Sequence, residues 1–165
     1  MAKAQKKEVE THLVISKWAK TTIETETNYT VEEVKELADF CYEDDSLAAP
    51  IASGSFKCDG MIVAPCSMKT LSGIANGYTE GLIVRAADVA MKEKRRLLLL
   101  TRETPLNPIH LENMLKLSKL GVTVMPPVPA FYTKPETIDD IINQTVGRVL
   151  DQFDIEIDSL KRWGG

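Results

Sequence analysis

The run Ser67-Met68-Lys69-Thr70 is the part of the sequence best suited to bind an anion. It combines two hydroxyl groups with one ammonium group, and it follows an apolar run that Pro65 ends. We expect it to open a helix, whose first backbone N–H groups lack partners within the helix and, with the helix dipole, attract phosphate. An ordinary capped turn between a strand and a helix is the alternative.

Polar groups also follow three other predicted strands. Ser16 ends the first of these, Arg102 and Glu103 end the second, and Tyr132 closes the 126–132 segment after the third. Because ligands of parallel α/β sheets sit beyond the carboxyl ends of the strands, these groups are expected to gather at one edge. Each could instead have an ordinary role, as a surface ion pair between Arg102 and Glu103 or as an aromatic packing residue at Tyr132.

The chemistry of this edge favours a phosphorylated ligand. A guanidinium fork and a helix start both match phosphate oxygens, and Arg102 supplies the first of these. Arg148, on the last predicted helix, is a second candidate, although it could equally be a solvent-facing helical arginine. On another predicted helix Arg85, Asp88 and Lys92 fall on one face, which alone is typical of a solvated charge row.

Hydrophobic periodicity predicts the elements that carry these residues. Strands are predicted at 11–16, 61–64, 96–102 and 122–127, and helices at 17–26, 31–43, from about 71, and at 81–94, 109–120 and 138–153. The 43–59 segment, with Ser53-Gly54-Ser55, is predicted to be a surface loop near a site. Strands that alternate with helices predict one α/β domain, 1–165, with a doubly wound, mostly parallel sheet of the Rossmann or flavodoxin type in three layers.

Composition excludes several classes of function. The net charge of -4 and the lack of a basic stripe argue against nucleic-acid binding. No apolar run approaches the roughly 20 residues that cross a bilayer, so we expect a cytoplasmic protein. Three separated cysteines and two distant histidines indicate neither a disulfide framework nor a metal site.

Five runs of the sequence, in order, resemble the UbiX-type flavin prenyltransferases, also known as the small subunit of phenylacrylic or hydroxyarylic acid decarboxylases. The runs are GMIVAPCSMKTLSGIANGYTEGLIVRAADV, RRLLLLTRETPL, HLENM, MPPVPAFY and VGRVLDQF. The resemblance extends from about Val9 to Trp163. It implies a transferase that joins the dimethylallyl group of dimethylallyl phosphate to N5 and C6 of reduced FMN, without a metal. The product, prenylated FMN, serves a UbiD-type decarboxylase.

The resemblance also implies roles for individual residues. FMN would be contacted by Ser16, Ser67, Met68, Lys69, Thr70 and Arg102. Dimethylallyl phosphate would be bound by Lys92, Tyr132, Arg148 and, as a weaker candidate, Arg85. Glu103 and Glu26 would be the catalytic carboxylates, with Glu103 relaying a proton, and Phe56 is a candidate aromatic wall that could equally be a core residue. Family members form homo-oligomers, commonly dodecamers, whose sites are shared between subunits.

One part of the family pattern has no match before Val9. Members open with a strand and a Gly-rich turn that carries flavin contacts and a catalytic serine, whereas Met1 to Glu8 resembles only the end of the helix that follows. We therefore expect exposed strand edges, weak FMN binding and poor prenyl transfer unless an oligomer covers the gap. An inactive or FMN-binding accessory subunit of a hydroxyarylic acid decarboxylase complex is the alternative function.

Overall fold

The structure, a computed structural model, describes residues 9–157 and Leu160. The strands are β1 (His12–Ile15), β2 (Phe40–Glu43), β3 (Gly60–Cys66), β4 (Arg96–Thr101) and β5 (Thr123–Val124). The α-helices are α1 (Lys17–Glu26), α2 (Val31–Lys35), α3 (Met68–Asn76), α4 (Leu82–Lys92), α5 (Pro108–Lys119) and α6 (Ile138–Asp151). Short 3-10 helices lie at Pro50–Ala52 and Phe131–Thr133.

All strand pairs in the described residues are parallel, which confirms the predicted α/β class. β1 pairs with β2, and β3, β4 and β5 form a second sheet with β4 at its centre. In the described residues the strands are divided between these two sheets, in line with the expectation of exposed strand edges. β1 and β3 are each paired along one edge only, because no described strand lies between them.

β4 is the centre of the core, and helices cover both of its faces. Leu97 and Leu99 belong to a cluster with buried residues of α3, α4 and α5, whereas Leu98 packs with Val149 and Phe153 at the other face. Leu97, Leu98 and Leu99 are at most 3% exposed. A strand with this burial needs a continuous apolar run rather than an alternating one, and the sequence LLLL provides it.

The predicted helix at 31–43 is wrong beyond its first turns. Its start is correct, because Thr30 and Glu33 form the expected capping box, but α2 ends at Lys35. Phe40–Glu43 is instead β2, where Phe40 and Tyr42 stack against the imidazole of His12 on β1. Cross-strand aromatic pairing of this kind outweighs the helical spacing that the sequence also shows.

Two predicted strand ends also differ from the structure. β3 continues through Pro65 to Cys66, with a shift of register between Val63 and Cys66. A bulge tolerates proline because no ladder hydrogen bond needs its missing N–H group. β5 is only two residues long, shorter than the predicted 122–127. In the described part of the chain, no helix has the length and apolar character to cross a membrane.

Candidate functional site

The carboxyl ends of β3, β4 and β5 lie at one edge of the larger sheet. Cys66 is the pairing partner of Thr101, so Ser67 and Arg102 each directly follow a paired residue. The backbone N–H of Met125, directly after β5, donates to the carbonyl of Leu99 on β4 at 2.9 Å. The end of β5 therefore lies beside the end of β4. The register therefore brings the Ser67 run and the Arg102 turn together, as the sequence predicts. Ser16 lies on the other sheet, where its Oγ caps α1.

The predicted helix start after β3 is present at α3. Oγ of Ser67 accepts a hydrogen bond from the N–H of Thr70 at 3.2 Å and lies 3.1 Å from Oγ1 of Thr70. Lys69 is exposed to solvent, whereas Met68 packs against the core. The side chain of Met68 thus packs beneath the first turn of α3, and Ser67 and Thr70 place two hydroxyl groups at the start of this helix, a position that favours an anion.

The hydroxyl of Thr101 points to a ligand at the same edge. Thr101 is 2% exposed, and its Oγ1 has no hydrogen-bond partner in the described residues. A buried hydroxyl without a partner costs about 1–3 kcal/mol, so such groups are rare and need an explanation. With the helix start at Ser67 and the exposed guanidinium of Arg102, this donor set fits the phosphate and polar ring edge of a flavin mononucleotide.

A cavity of about 200 Å³ lies between the segment after β5 and helix α6. Its lining consists of Met125, Pro126, Val128, Ala130, Tyr132, Gln144, Thr145 and Arg148. The cavity brings together Tyr132 and Arg148, two of the residues predicted to bind the prenyl phosphate. Nη1 of Arg148 lies 2.9 Å from Oδ2 of Asp151, one turn along α6, which holds the guanidinium in place. Apolar walls beside a phenol and a guanidinium suit a small apolar group that carries an anion.

Gln144 is a further polar residue of this cavity, one that the sequence motifs did not indicate. It is 7% exposed, and its Nε2 donates to the hydroxyl of Tyr132 at 3.3 Å. The signal in the sequence was a polar residue four positions before Arg148, one helical turn away on the same side of α6. Buried amides of this kind need partners, and the hydroxyl of Tyr132 is one partner of Gln144.

Arg85 and Lys92 do not line this cavity. Both lie on α4, where Nη1 of Arg85 is 3.8 Å from Oδ2 of Asp88 and Nζ of Lys92 is 3.4 Å from Oε1 of Glu93. The residues predicted to bind the prenyl phosphate are therefore split into two groups within one chain, one beside α6 and the other on α4.

The two candidate catalytic carboxylates are both exposed in the described chain. Oε1 of Glu103 accepts a hydrogen bond from the N–H of Thr104 at 3.1 Å, directly after the Arg102 turn. Glu26 is the last residue of α1, on the smaller sheet's side. Phe56 contacts His12 edge-on, with 5.0 Å between the ring centroids, and so forms part of an aromatic cluster rather than a cavity wall.

The thiol of Cys66, next to the start of α3, is unreactive at neutral pH because it stays protonated. Burial raises the pKa of Cys66 to about 12, so this group stays protonated at neutral pH. All three cysteines are free. Among residues 9–157 no cluster of three or more histidine, cysteine, aspartate or glutamate side chains could hold a metal ion.

The family model described as Flavoprotein matches residues 2–150, most of this parallel α/β fold and the helix start after β3. A probable UbiX-like flavin prenyltransferase of Escherichia coli O157:H7 is 61% identical over 157 residues, 95% of this chain and 80% of the relative. The chain belongs to the family of UbiX-like flavin prenyltransferases.

Solved structures agree with this assignment. A UbiX protein (AnUbiX, PadA1) in complex with FMN and dimethylallyl pyrophosphate is 55% identical, with a TM-score of 0.94 over 95% of this chain and 84% of that chain. A dodecameric FMN-dependent UbiX-like decarboxylase from Escherichia coli O157:H7 is 59% identical, with a TM-score of 0.95 over 98% of this chain and 88% of that chain.

Proposed function

We propose that this protein is a flavin prenyltransferase that transfers a dimethylallyl group from dimethylallyl phosphate to N5 and C6 of reduced FMN. The product, prenylated FMN, would serve a UbiD-type decarboxylase that acts on aromatic acids. The observation that supports the proposal is the neighbouring position of a polar strand edge after β3 and β4 and a partly apolar cavity with Tyr132 and Arg148 after β5. The three free cysteines suit the reducing cytoplasm, where we place the protein.

The strand edge would hold the flavin. Ser67, Lys69 and Thr70 would bind polar flavin atoms at the start of α3, with Arg102 at the phosphate or at the ring edge. Ser16 would approach from the end of β1. Bound there in its reduced form, FMN supplies the electron-rich ring that accepts the dimethylallyl group.

The cavity would hold the dimethylallyl phosphate. When the bond between the allylic carbon and the phosphate oxygen breaks, negative charge grows on the phosphate. The guanidinium of Arg148 and the hydroxyl of Tyr132 would stabilise this charge because they are preorganised by Asp151 and Gln144. Apolar walls would keep water from the allylic carbon, and Glu103 would carry a proton between the phosphate and the flavin during ring closure.

A complete site would need more than one subunit. Arg85 and Lys92 lie outside the cavity of their own chain, and in a homo-oligomer they would serve the cavity of a neighbour. Six exposed apolar side chains on α5 and α6 are candidates for contacts between subunits. They are Ile109, Leu111, Leu115, Ile138, Ile142 and Val146. We propose a dodecamer, because the similar Escherichia coli protein is dodecameric.

Prenyl transfer is tested with purified protein, reduced FMN and dimethylallyl phosphate under anaerobic conditions. A changed flavin absorbance spectrum, together with a mass increase equal to one dimethylallyl group, is the expected result. Tyr132→Phe and Arg148→Ala should lower the rate, whereas Lys119→Ala, which removes an exposed cation at the end of α5, should not. Unaltered FMN after incubation would contradict the proposal. If the protein still binds FMN in that case, it is an accessory subunit.

A further inference from the structure

Helix α4 begins without a cap of its own. Its N-cap residue is Gly81, which has a positive φ of 88° and no side chain to accept a hydrogen bond. Asp44, directly after β2, takes that role from 39 residues away. Its backbone carbonyl accepts from the N–H of Leu82 at 2.6 Å, and its Oδ1 accepts from the N–H of Ile83 at 3.0 Å. The carboxylate also lies at the positive end of the helix dipole.

Gly81 makes this close approach possible. A Cβ atom at this position would lie 3.2 Å from both carboxylate oxygens of Asp44, and the backbone conformation itself favours glycine. The cap of α4 therefore depends on two residues that are distant in sequence, one that supplies the oxygens and one that leaves room for them.

The loop that begins with Asp44 contacts α4 at two further points, and both involve predicted substrate cations. Nε of Arg85 donates to the carbonyl of Ala52 at 3.4 Å. Gly54 lies against the ion pair of Lys92 and Glu93 at the end of the helix: a Cβ atom there would collide with the carboxylate of Glu93 and lie 3.2 Å from Nζ of Lys92. Nη2 of Arg95, three residues after α4, holds the loop at this point by donating to the carbonyl of Gly54 at 2.8 Å. The loop thus runs along α4 from its first turn to its last.

We propose that Asp44 is a positioning residue for the two cations of α4 that would bind the prenyl phosphate. It positions Arg85 by capping the first turn of the helix, and Lys92 through the loop that runs from Asp44 along the helix. The inference rests on the proposed function, because that function gives Arg85 and Lys92 their ligand. Asp44 does not touch the substrate. Its carboxylate is engaged by the N–H of Ile83, two residues before Arg85, so it acts by fixing the first turn of the helix and the loop beneath it.

Steady-state kinetics of Asp44→Ala and Asp44→Asn, in the full chain, test this role. Asparagine keeps an oxygen that can accept from Ile83 and caps helices as well as aspartate does. We expect Asp44→Ala to raise KM for dimethylallyl phosphate about fivefold, with KM for FMN within about twofold of wild type. Asp44→Asn should stay within about twofold for both substrates.

Thr30→Ala is the matched control for a lost cap. Oγ1 of Thr30 accepts from the N–H of Glu33 at 3.2 Å at the start of α2, a helix that carries none of the predicted site residues and none of the apolar side chains proposed for association. This variant should lose a similar amount of unfolding free energy without any change in KM. Equal KM values for Asp44→Ala and Thr30→Ala would overturn the inference.

Hydrogen exchange gives a readout that does not depend on activity. The amides of Leu82, Ile83 and Arg85 should exchange faster in Asp44→Ala than in wild type, and at the wild-type rate in Asp44→Asn. Unchanged exchange in Asp44→Ala would overturn the positioning role. If instead exchange responds as expected but the wild-type protein transfers no prenyl group, the proposed function fails and the structural link between Asp44 and α4 stands.

Discussion

The side-chain amide of Gln144 donates a hydrogen bond to the hydroxyl of Tyr132, with 3.3 Å between the nitrogen and the oxygen. Gln144 is buried in α6, whereas Tyr132 lies in a short 3-10 helix before it and is 48% exposed. The buried amide therefore contacts the phenol at the wall of the proposed prenyl-phosphate cavity, where it contributes to the direction of the phenol.

Replacement of Gln144 by leucine should impair substrate binding more than folding. The leucine fills a similar volume but cannot donate to Tyr132, so we expect KM for dimethylallyl phosphate to rise about fivefold, in line with about 1 kcal/mol for one hydrogen bond. Steady-state kinetics measure this effect. Asn143→Leu, at the exposed neighbouring position, is the control and should leave KM unchanged. An unaltered KM in Gln144→Leu would show that the amide does not orient the phenol.

The buried thiol of Cys66 should make the protein less stable at alkaline pH. Burial raises its pKa from the ordinary 9.0 to about 12. Above pH 9 the unfolded chain releases this proton and the folded chain keeps it, so the free energy of unfolding should fall by about 1 kcal/mol per pH unit as the pH rises from 9 toward 12. Denaturant titrations at several pH values measure how the free energy of unfolding depends on pH. Cys66→Ala should remove the part of this dependence that comes from the thiol.

Thiol labelling tests the same feature in the native state. Cys41 and Cys58 are exposed, whereas Cys66 is 0% exposed. DTNB should therefore label Cys41 and Cys58 rapidly at mildly alkaline pH and reach Cys66 only in denaturant. Fast labelling of Cys66 in the folded protein would contradict the burial on which the alkaline prediction depends.

The link between Asp39 and Thr11 should weaken in acid. Oδ2 of Asp39 accepts from both Oγ1 and the backbone N–H of Thr11, each at 2.7 Å, which joins the residues that precede β1 and β2. These bonds lower the pKa of Asp39, first through the hydroxyl of Thr11 and then through its N–H.

Because the folded state holds this carboxyl below its ordinary pKa of 3.8, the link contributes stability above that pH and loses it as the pH falls further. Asp39→Asn should flatten the acid limb of a plot of unfolding free energy against pH, and Thr11→Val should flatten it in the same direction. An acid limb that is steeper in either variant than in wild type would argue against the link.

Two glycines should respond in opposite directions to replacement by alanine. A Cβ atom on Gly60 of β3 would lie 2.6 Å from both the carbonyl oxygen of Arg96 and Cε1 of Phe153. Gly60→Ala should therefore destabilise the protein by about 1–3 kcal/mol. Gly73 lies in α3, where the nearest atom would be 3.4 Å away, so Gly73→Ala should stabilise by about 0.5–1 kcal/mol through helix propensity. Chemical denaturation of both variants measures whether the free energy of unfolding falls in Gly60→Ala and rises in Gly73→Ala.

Local sequence signals predicted the elements around the site well. The capping box of Thr30 and Glu33, the cap at Ser67 and the buried run before Arg102 depend on neighbours within a few residues, and each is present in the structure. These signals were also sufficient for the α/β class, since alternating strands and helices leave few other arrangements. The resemblance carried in the same runs indicated the family.

What only the tertiary structure decided depends on pairing between distant residues. Phe40–Glu43 is a strand because it pairs with β1, and no local signal outweighed the helical spacing before it. The division of the described strands into two sheets, the split of Tyr132 and Arg148 from Arg85 and Lys92, and the cap that Asp44 provides to α4 are set by packing over tens of residues. Sequence periodicity records which face of an element is apolar, but not which other element covers it.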